Sequence, residues 1–227
     1  MKHEPGYDFL GPVPQEEPRW LAAIALLAVG GLYMALPEEI SLGPRWLLLA
    51  VVAVLLVPTM VAHRKRMTNL NRALGLTIAS IITVSMIGSV VLMVALLPQL
   101  AAHHIAASRL LRAALVLWVT NVLVFALWYW HLDAGGPHRR ELRLGHVDGA
   151  FLFPQMTMTE EAKAETGELH WSPGFVDYLF LAFNTSTALS PADTAVLSRW
   201  AKVLMMIQAT ISLTIVALLA ARAVNIL

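Results

Sequence analysis

The sequence contains no cysteine, which excludes disulfide bonds, thiol catalysis and metal sites built on thiolates. It is also poor in charge, because only 14% of its 227 residues are Asp, Glu, Lys or Arg, against about 25% in typical soluble domains. The net charge of +1 gives no indication of a nucleic-acid partner, and we predict none. HExxH, GxSxG, Walker and GxGxxG patterns are missing as well, so we predict no enzyme activity, no catalytic residues, no cofactor and no metal site.

Hydrophobic residues make up 58% of the chain, and the mean hydropathy is +0.66. A helix that crosses a lipid bilayer needs about 20 mostly apolar residues. Five segments approach or meet that requirement: residues 20–36, 46–62, 73–97, 113–132 and 203–221. The sequence therefore predicts an all-α, polytopic transmembrane protein of about five spans.

A sixth apolar segment, residues 175–188, is only about fourteen residues long. Apolar segments of about 10–14 residues are more often re-entrant, interfacial or buried than spanning. We therefore predict one short re-entrant or interfacial helix immediately before the last span.

The distribution of charge and proline divides the chain into four parts. Residues 1–19 form an acidic, proline-rich tail that we expect to be mobile, and residues 20–132 form a four-helix transmembrane region. Residues 133–173 are a polar connecting loop, too charged to enter a bilayer. Residues 174–227 contain the short apolar segment, a polar tip and the last helix.

The very short second connection is rich in basic residues: Arg64, Lys65, Arg66 and Arg72. Basic residues in short connections favour the cytoplasmic side of the membrane. Alternating spans then place the N-terminus in the cytoplasm and the C-terminus outside. We expect the protein to be a multi-pass protein of a bacterial plasma membrane.

The polar tip of the C-terminal hairpin reads NTSTALSPADT. Hydroxyl and carbonyl oxygens can replace the water around a cation, and a ring of carboxylates attracts one. On this interpretation the constriction of a pore is formed by Thr185, Ser186, Thr187, Ser190 and Asp193. Such a pore needs several copies around one axis, so it predicts a homo-oligomer, with a tetramer favoured and monovalent cations as candidate permeant ions.

The same residues also fit a simpler role at the start of the last helix. Ser190 has the chemistry of an N-cap, Pro191 suits the first helical position, and Asp193 suits the first turn. On this alternative the last helix begins at Pro191.

Polar residues inside the spans indicate which helix faces meet. Gln208 and Ser212 lie four residues apart on one face of the last helix, and Asn121 of the fourth span is predicted to face them. Asp177 has two alternatives: it caps the short helix, or it pairs with Arg199 and holds the hairpin closed.

Two resemblances follow from these residues. The order of short apolar helix, FNTSTALSPADT, D-x-x-x-L-S-R-W and long last helix resembles the pore module of the potassium-channel superfamily, although the tip lacks that family's filter glycines. The chain also resembles a family of five-span bacterial membrane proteins of unknown function. The matching residues are 128–130, Asp177, Phe180, 185–187, Asp193, Ser198 and Arg199.

Three functions remain open from the sequence. The first is a channel-like protein that passes ions or small solutes through an oligomeric pore. The second is a non-transporting membrane scaffold or assembly protein, in which the hairpin only packs. The third is a haem- or quinone-linked membrane protein, suggested by His63 and His131 at helix ends on the same predicted side.

Overall fold

The computed structural model describes residues 17–102, 107–141, 149–169, 171–187 and 194–224. Helices dominate these residues, which confirms the all-α prediction. The helices are α1 Trp20–Tyr33, α2 Arg45–Arg64, α3 Thr68–Ala102, α4 Ala107–Leu132, α5 Pro137–Glu141, α6 Glu160–Thr166, α7 Phe175–Thr187 and α8 Arg199–Val224.

Four of these helices, α2, α3, α4 and α8, are long and apolar enough to cross a membrane by length and composition. The first helix is apolar but has only 14 residues, or about 21 Å at 1.5 Å per residue. Turn-type hydrogen bonds carry its last turn on to Leu36. The protein is therefore a polytopic membrane protein with four helices of spanning length and a shorter first helix.

Helix α4 is the centre of the bundle and contacts α1, α3, α7 and α8. Its most apolar stretch is 67% buried within the chain, against 17% for α8 and 22% for α2. The other long helices thus leave most of their apolar surface facing outward, as expected for helices in contact with lipid.

One end of the bundle collects the start of α1, the end of α2, the start of α3, the end of α4 and the start of α8. We call it the basic end, and its marker residues are Arg19, Arg64, Arg72, Arg140 and Arg199. Arg19 Nη1 lies 2.8 Å from His63 Nδ1, which brings the start of α1 to the end of α2. The indole of Trp200 packs on Phe151 with ring centroids 6.1 Å apart, which brings the start of α8 to the connection after α4.

The described residues of the connection predicted as a polar loop, residues 133–173, pack on the basic end. Strand β1 (Phe151–Leu152) pairs antiparallel with strand β2 (Ala195–Val196), with Phe151 opposite Val196. Phe151 and Phe153 are buried against Tyr178 of α7. Part of this connection therefore belongs to the core, since its two phenylalanines bury apolar area that a solvated loop leaves exposed.

The prediction that the last helix begins at Pro191 is wrong. Helix α8 begins at Arg199, after β2, and Ser198 Oγ accepts a hydrogen bond from the Ala201 N–H at 3.3 Å. Ser198 therefore performs the N-cap role that the sequence suggested for Ser190. Both Ser190 and Asp193 lie outside the described residues.

The predicted tail, residues 1–19, is described only from residue 17 onward. These last residues are attached to the bundle: the Glu17 carboxylate accepts from Arg140 and from the Trp130 indole, and Arg19 pairs with Glu141 at 2.8 Å. Residues 17–19 therefore belong with the helical bundle, because two ion pairs hold them there.

The contact between α1 and α2 provides a test of this packing. A methyl group at Gly30 would lie 2.9 Å from Leu49 Cα, whereas one at Gly31 meets nothing within 4 Å. We expect Gly30→Ala to lower stability by about 1–3 kcal/mol through overpacking. Gly31→Ala, the matched control, should be neutral or gain up to about 1 kcal/mol of helix propensity.

The measurement is the melting temperature of each purified variant in the same detergent. Equal melting temperatures for the two alanine variants would contradict the close α1–α2 approach.

Candidate functional site

Helix α7 enters the bundle at the basic end and stops near the middle of α4. At its start, Phe175 packs on Trp130 with ring centroids 5.8 Å apart; near its end, Phe183 packs on Trp118 at 5.9 Å. These two tryptophans are separated by about 18 Å along α4, at 1.5 Å per residue. The short helix is therefore re-entrant in shape, with its C-terminal end buried partway through the bundle.

A helix end leaves four backbone carbonyls without partners inside the helix, and an apolar environment offers no water to replace them. Helix α8 supplies one of these partners, since Ser212 Oγ donates to Ser186 O at 2.7 Å. Gln208 Nε2 donates to Ser186 Oγ at 2.9 Å and, one turn earlier in α7, to Ala182 O at 2.7 Å. Ser212 thus caps the end of α7, and Gln208 holds its last two turns against α8.

Helix α4 completes this network. Tyr129 donates its hydroxyl to Gln208 Oε1 at 2.5 Å, Asn121 Nδ2 donates to the backbone oxygen of Gln208 at 3.2 Å, and Trp118 Nε1 donates to Ser212 Oγ at 3.0 Å. Gln208 and Asn121 have no exposed surface. The three polar residues predicted in the bundle interior, Gln208, Ser212 and Asn121, are therefore brought together around the end of α7.

The hydroxyl groups predicted to line a pore have different environments in the single chain. Thr185 is buried and donates to Leu181 O at 2.8 Å, and Ser186 is buried in the network with α8. Thr187 is exposed and donates to Phe183 O at 3.0 Å. Of these three, only Thr187 lies at the surface of one chain.

The outward face of α7 is apolar. Val176, Phe180 and Phe183 are 56%, 61% and 45% exposed, and they border a groove between α7 and α4. Surfaces of this kind suit lipid or the apolar face of another helix.

Asp177 acts at the start of α7. Its Oδ2 accepts a hydrogen bond from the Gly174 N–H at 2.8 Å, which satisfies one of the free donors at the helix start. The alternative prediction, a pair between Asp177 and Arg199, is not formed among the described residues, because the carboxylate is engaged at the N-terminus of its own helix.

Sequence reasoning missed a second polar cluster, at the basic end. Asp133 is fully buried; its Oδ2 accepts from the Tyr178 hydroxyl at 2.6 Å, and its Oδ1 accepts from the Ala150 N–H. One carboxylate thus ties the end of α4 to α7 and to the connection before β1. The only sequence signal was an acid placed directly after an apolar helix.

Arg140 is the basic partner in this cluster. Its Nη1 donates to Trp130 O and Asp133 O at 2.8 and 3.0 Å, and its guanidinium lies 5.0 Å over the ring of Tyr178. It also pairs with Glu17 at 3.1 Å. Nothing in the sequence distinguishes Arg140 from its basic neighbours, because its role depends on burial.

Burial raises the pKa of Glu17 above its ordinary value, while the Arg140 guanidinium and the Trp130 indole N–H act to lower it. Burial is the larger effect, so the ion pair does not fully compensate the lost hydration of the carboxylate. Glu17 therefore fixes the position of residues 17–19 more than it stabilises the fold.

Comparison of the chain with family models, with curated proteins and with solved structures gives no match. Among the described residues, no three His, Asp or Glu side chains are grouped closely enough to hold a metal ion.

The contact between Gln208 and the end of α7 is tested by the substitution Gln208→Leu. This change removes the donor for Ala182 O and Ser186 and the acceptor for Tyr129, and each buried polar group left unsatisfied costs about 1–3 kcal/mol. We expect a lower melting temperature and faster amide hydrogen exchange at the C-terminal end of α7. Thr210→Val, on an exposed face of the same helix, is the control and should change neither the melting temperature nor the exchange rate. Unchanged exchange in Gln208→Leu would show that Gln208 does not hold the end of α7.

The role of the Asp133 carboxylate in holding the connection is tested by Asp133→Ala, made in a protein that also carries Leu152→Cys as its single cysteine. Loss of the carboxylate frees both Tyr178 and the Ala150 N–H, so we expect the connection to loosen and the cysteine to react with maleimide several-fold faster. The control is Glu165→Ala, which removes an exposed carboxylate from α6 within the same connection and should leave the rate unchanged. Equal labelling rates in the two variants would show that Asp133 does not hold the connection.

Proposed function

We propose that this protein is a channel-like membrane protein that passes ions or small solutes through a pore shared between copies of the chain. The observation that carries the proposal is the end of α7 at mid-bundle, where Ser212 bonds the Ser186 carbonyl and Gln208 bonds the Ser186 hydroxyl. Irregular backbone at membrane depth is tolerated only where protein or a water-filled path satisfies it. A re-entrant helix is the usual means of placing a polar tip at that depth.

The order of α4, α7, polar tip and α8 supports the proposal, since it matches the order of outer helix, pore helix, filter and inner helix in potassium-channel pore modules. The tip contains no glycine, so we do not propose a potassium filter of that kind. Ser190 and Asp193, which lie outside the described residues, are the proposed polar groups of the constriction, with Thr185, Ser186 and Thr187 in support. A single acid per chain favours monovalent cations.

One hairpin cannot enclose a path, so the proposal requires a ring of copies, with a tetramer favoured. The exposed apolar face of Val176, Phe180 and Phe183 is available for contact between copies. We further propose a bacterial plasma membrane with the basic end in the cytoplasm, because the positive-inside tendency places short basic connections there.

The proposal predicts that Asp193→Asn slows cation flux into liposomes by about tenfold, because a ring of carboxylates concentrates cations at a pore mouth. The control is Glu161→Gln, which removes one negative charge from exposed α6, outside the polar tip. Equal flux for the unmodified protein and both variants would exclude Asp193 from the constriction.

A second candidate, a non-transporting scaffold, is favoured by one specific observation: Ser186, Gln208 and Ser212 satisfy one another inside a single chain. The mass of the protein in nanodiscs, measured together with ion flux, distinguishes the channel from the scaffold. A closed ring with flux supports the channel, whereas a monomer without flux supports the scaffold.

A further inference from the structure

A cavity lies at the basic end, on the side of the bundle away from α8. It is bounded by α1, α2, α3 and the junction between α4 and α5, and its empty volume is about 890 Å³, part of which is open to the surroundings. Its inner wall is apolar and includes Leu26, Leu56 and Ile78. The part of this space that a water-sized sphere can occupy is about 130 Å³, so the cavity is a small recess that opens outward.

The outer wall of this cavity is lined by basic residues and histidines: Arg19, Arg72, Arg139, His63, His131 and His138. Among the described residues, no Asp or Glu lines it. Arg19 is neutralised by Glu141 at 2.8 Å, and the same carboxylate lies 3.6 Å from His138. Within the described part of the chain, Arg72 and Arg139 form no ion pair, and both contribute uncompensated positive charge.

Arg72 carries the second indication of a ligand. Its Nε is buried and has no hydrogen-bond partner among the described residues. A buried guanidinium nitrogen without a partner costs free energy that a bound anion recovers. Guanidinium groups also match phosphate oxygens in a bidentate geometry.

His131 adds a polar group to the wall. Its Nδ1 donates to Leu127 O at 2.9 Å, which leaves Nε2 as the other ring nitrogen, on the side of Gly75. A Cβ at position 75 would lie 2.1 Å from that Nε2, so only glycine leaves room for the imidazole there. The cavity wall thus has a histidine nitrogen in addition to the two arginines.

We propose that this cavity binds the phosphate group of an anionic amphiphile, with Arg72 and Arg139 contacting the phosphate and the acyl chain lying along Leu26, Leu56 and Ile78. Basic pockets between membrane helices on the cytoplasmic side are suited to anionic headgroups. The apolar wall is the reason for choosing an amphiphile over a soluble phosphate. The site involves neither α7 nor α8, so it stands apart from the proposed pore.

The test is lipid retention, measured by native mass spectrometry of protein released from phosphatidylcholine nanodiscs that contain some phosphatidylglycerol. We expect phosphatidylglycerol to be retained preferentially, and the double variant Arg72→Gln/Arg139→Gln to lower that retention about tenfold, because the charge-assisted hydrogen bonds to the phosphate are lost. The control Arg64→Gln/Lys65→Gln removes two charges from the same end of the chain, but neither residue lines the cavity. It should lower retention less than twofold.

A competition measurement distinguishes a lipid phosphate from a soluble phosphoester. Soluble glycerol phosphate should fail to displace the lipid; full displacement by it would overturn the amphiphile and indicate a soluble phosphoester. Equal retention of phosphatidylcholine and phosphatidylglycerol, or equal losses in the two double variants, would overturn the site. If the double variant does not fold, Arg139→Gln alone decides, because Arg139 is exposed and its loss leaves the core intact.

Discussion

The architecture of this protein depends on satisfying the buried C-terminal end of α7. A helix that stops inside an apolar bundle presents unpaired carbonyls, each of which costs about 1–3 kcal/mol when left without a donor. Ser212 of α8 supplies a donor to the Ser186 carbonyl, Gln208 bonds Ala182 O and the Ser186 hydroxyl, and Tyr129 and Asn121 of α4 hold Gln208 in place. Because these contacts are directional, they set both the depth of α7 and its rotation between α4 and α8.

The opposite end of α7 is held by ionic and aromatic contacts at the basic end. Asp133 bonds the Tyr178 hydroxyl, and Arg140 lies over the same ring while it bonds the end of α4. The pairing of β1 with β2 then connects this cluster to the start of α8. With both ends fixed, α7 is positioned by its contacts with α4, α8 and the connection after α4.

The proposed amphiphile site and the proposed pore use different parts of the bundle. The cavity lies among α1, α2 and α3 and the end of α4, whereas the hairpin packs on the other helical face of α4. Arg19 of the cavity wall pairs with Glu141, which also accepts from the Glu17 N–H, and the Glu17 carboxylate pairs with Arg140. An anionic headgroup at the cavity would therefore add negative charge close to the cluster that holds α7.

Elements with a local signal could be predicted from the amino-acid sequence alone. Hydropathy and length predicted the long helices, and a segment of about fourteen apolar residues predicted the re-entrant helix almost to its observed bounds of Phe175–Thr187. Polar residues on one face of a membrane helix likewise indicated that Gln208, Ser212 and Asn121 lie inside, because exposing an amide to lipid is costly.

Features that depend on partners distant in the sequence could be seen only in the folded chain. The start of α8 at Arg199 depends on the pairing of β2 with residues 151–152, and the burial of Asp133 depends on Tyr178, 45 residues away. The burial of Arg140 in the core and the position of Arg72 in the cavity wall likewise depend on residues that are distant in the sequence. Charged residues of one type are equivalent in a sequence pattern, and only their three-dimensional neighbours determine which of them loses water and which finds a partner.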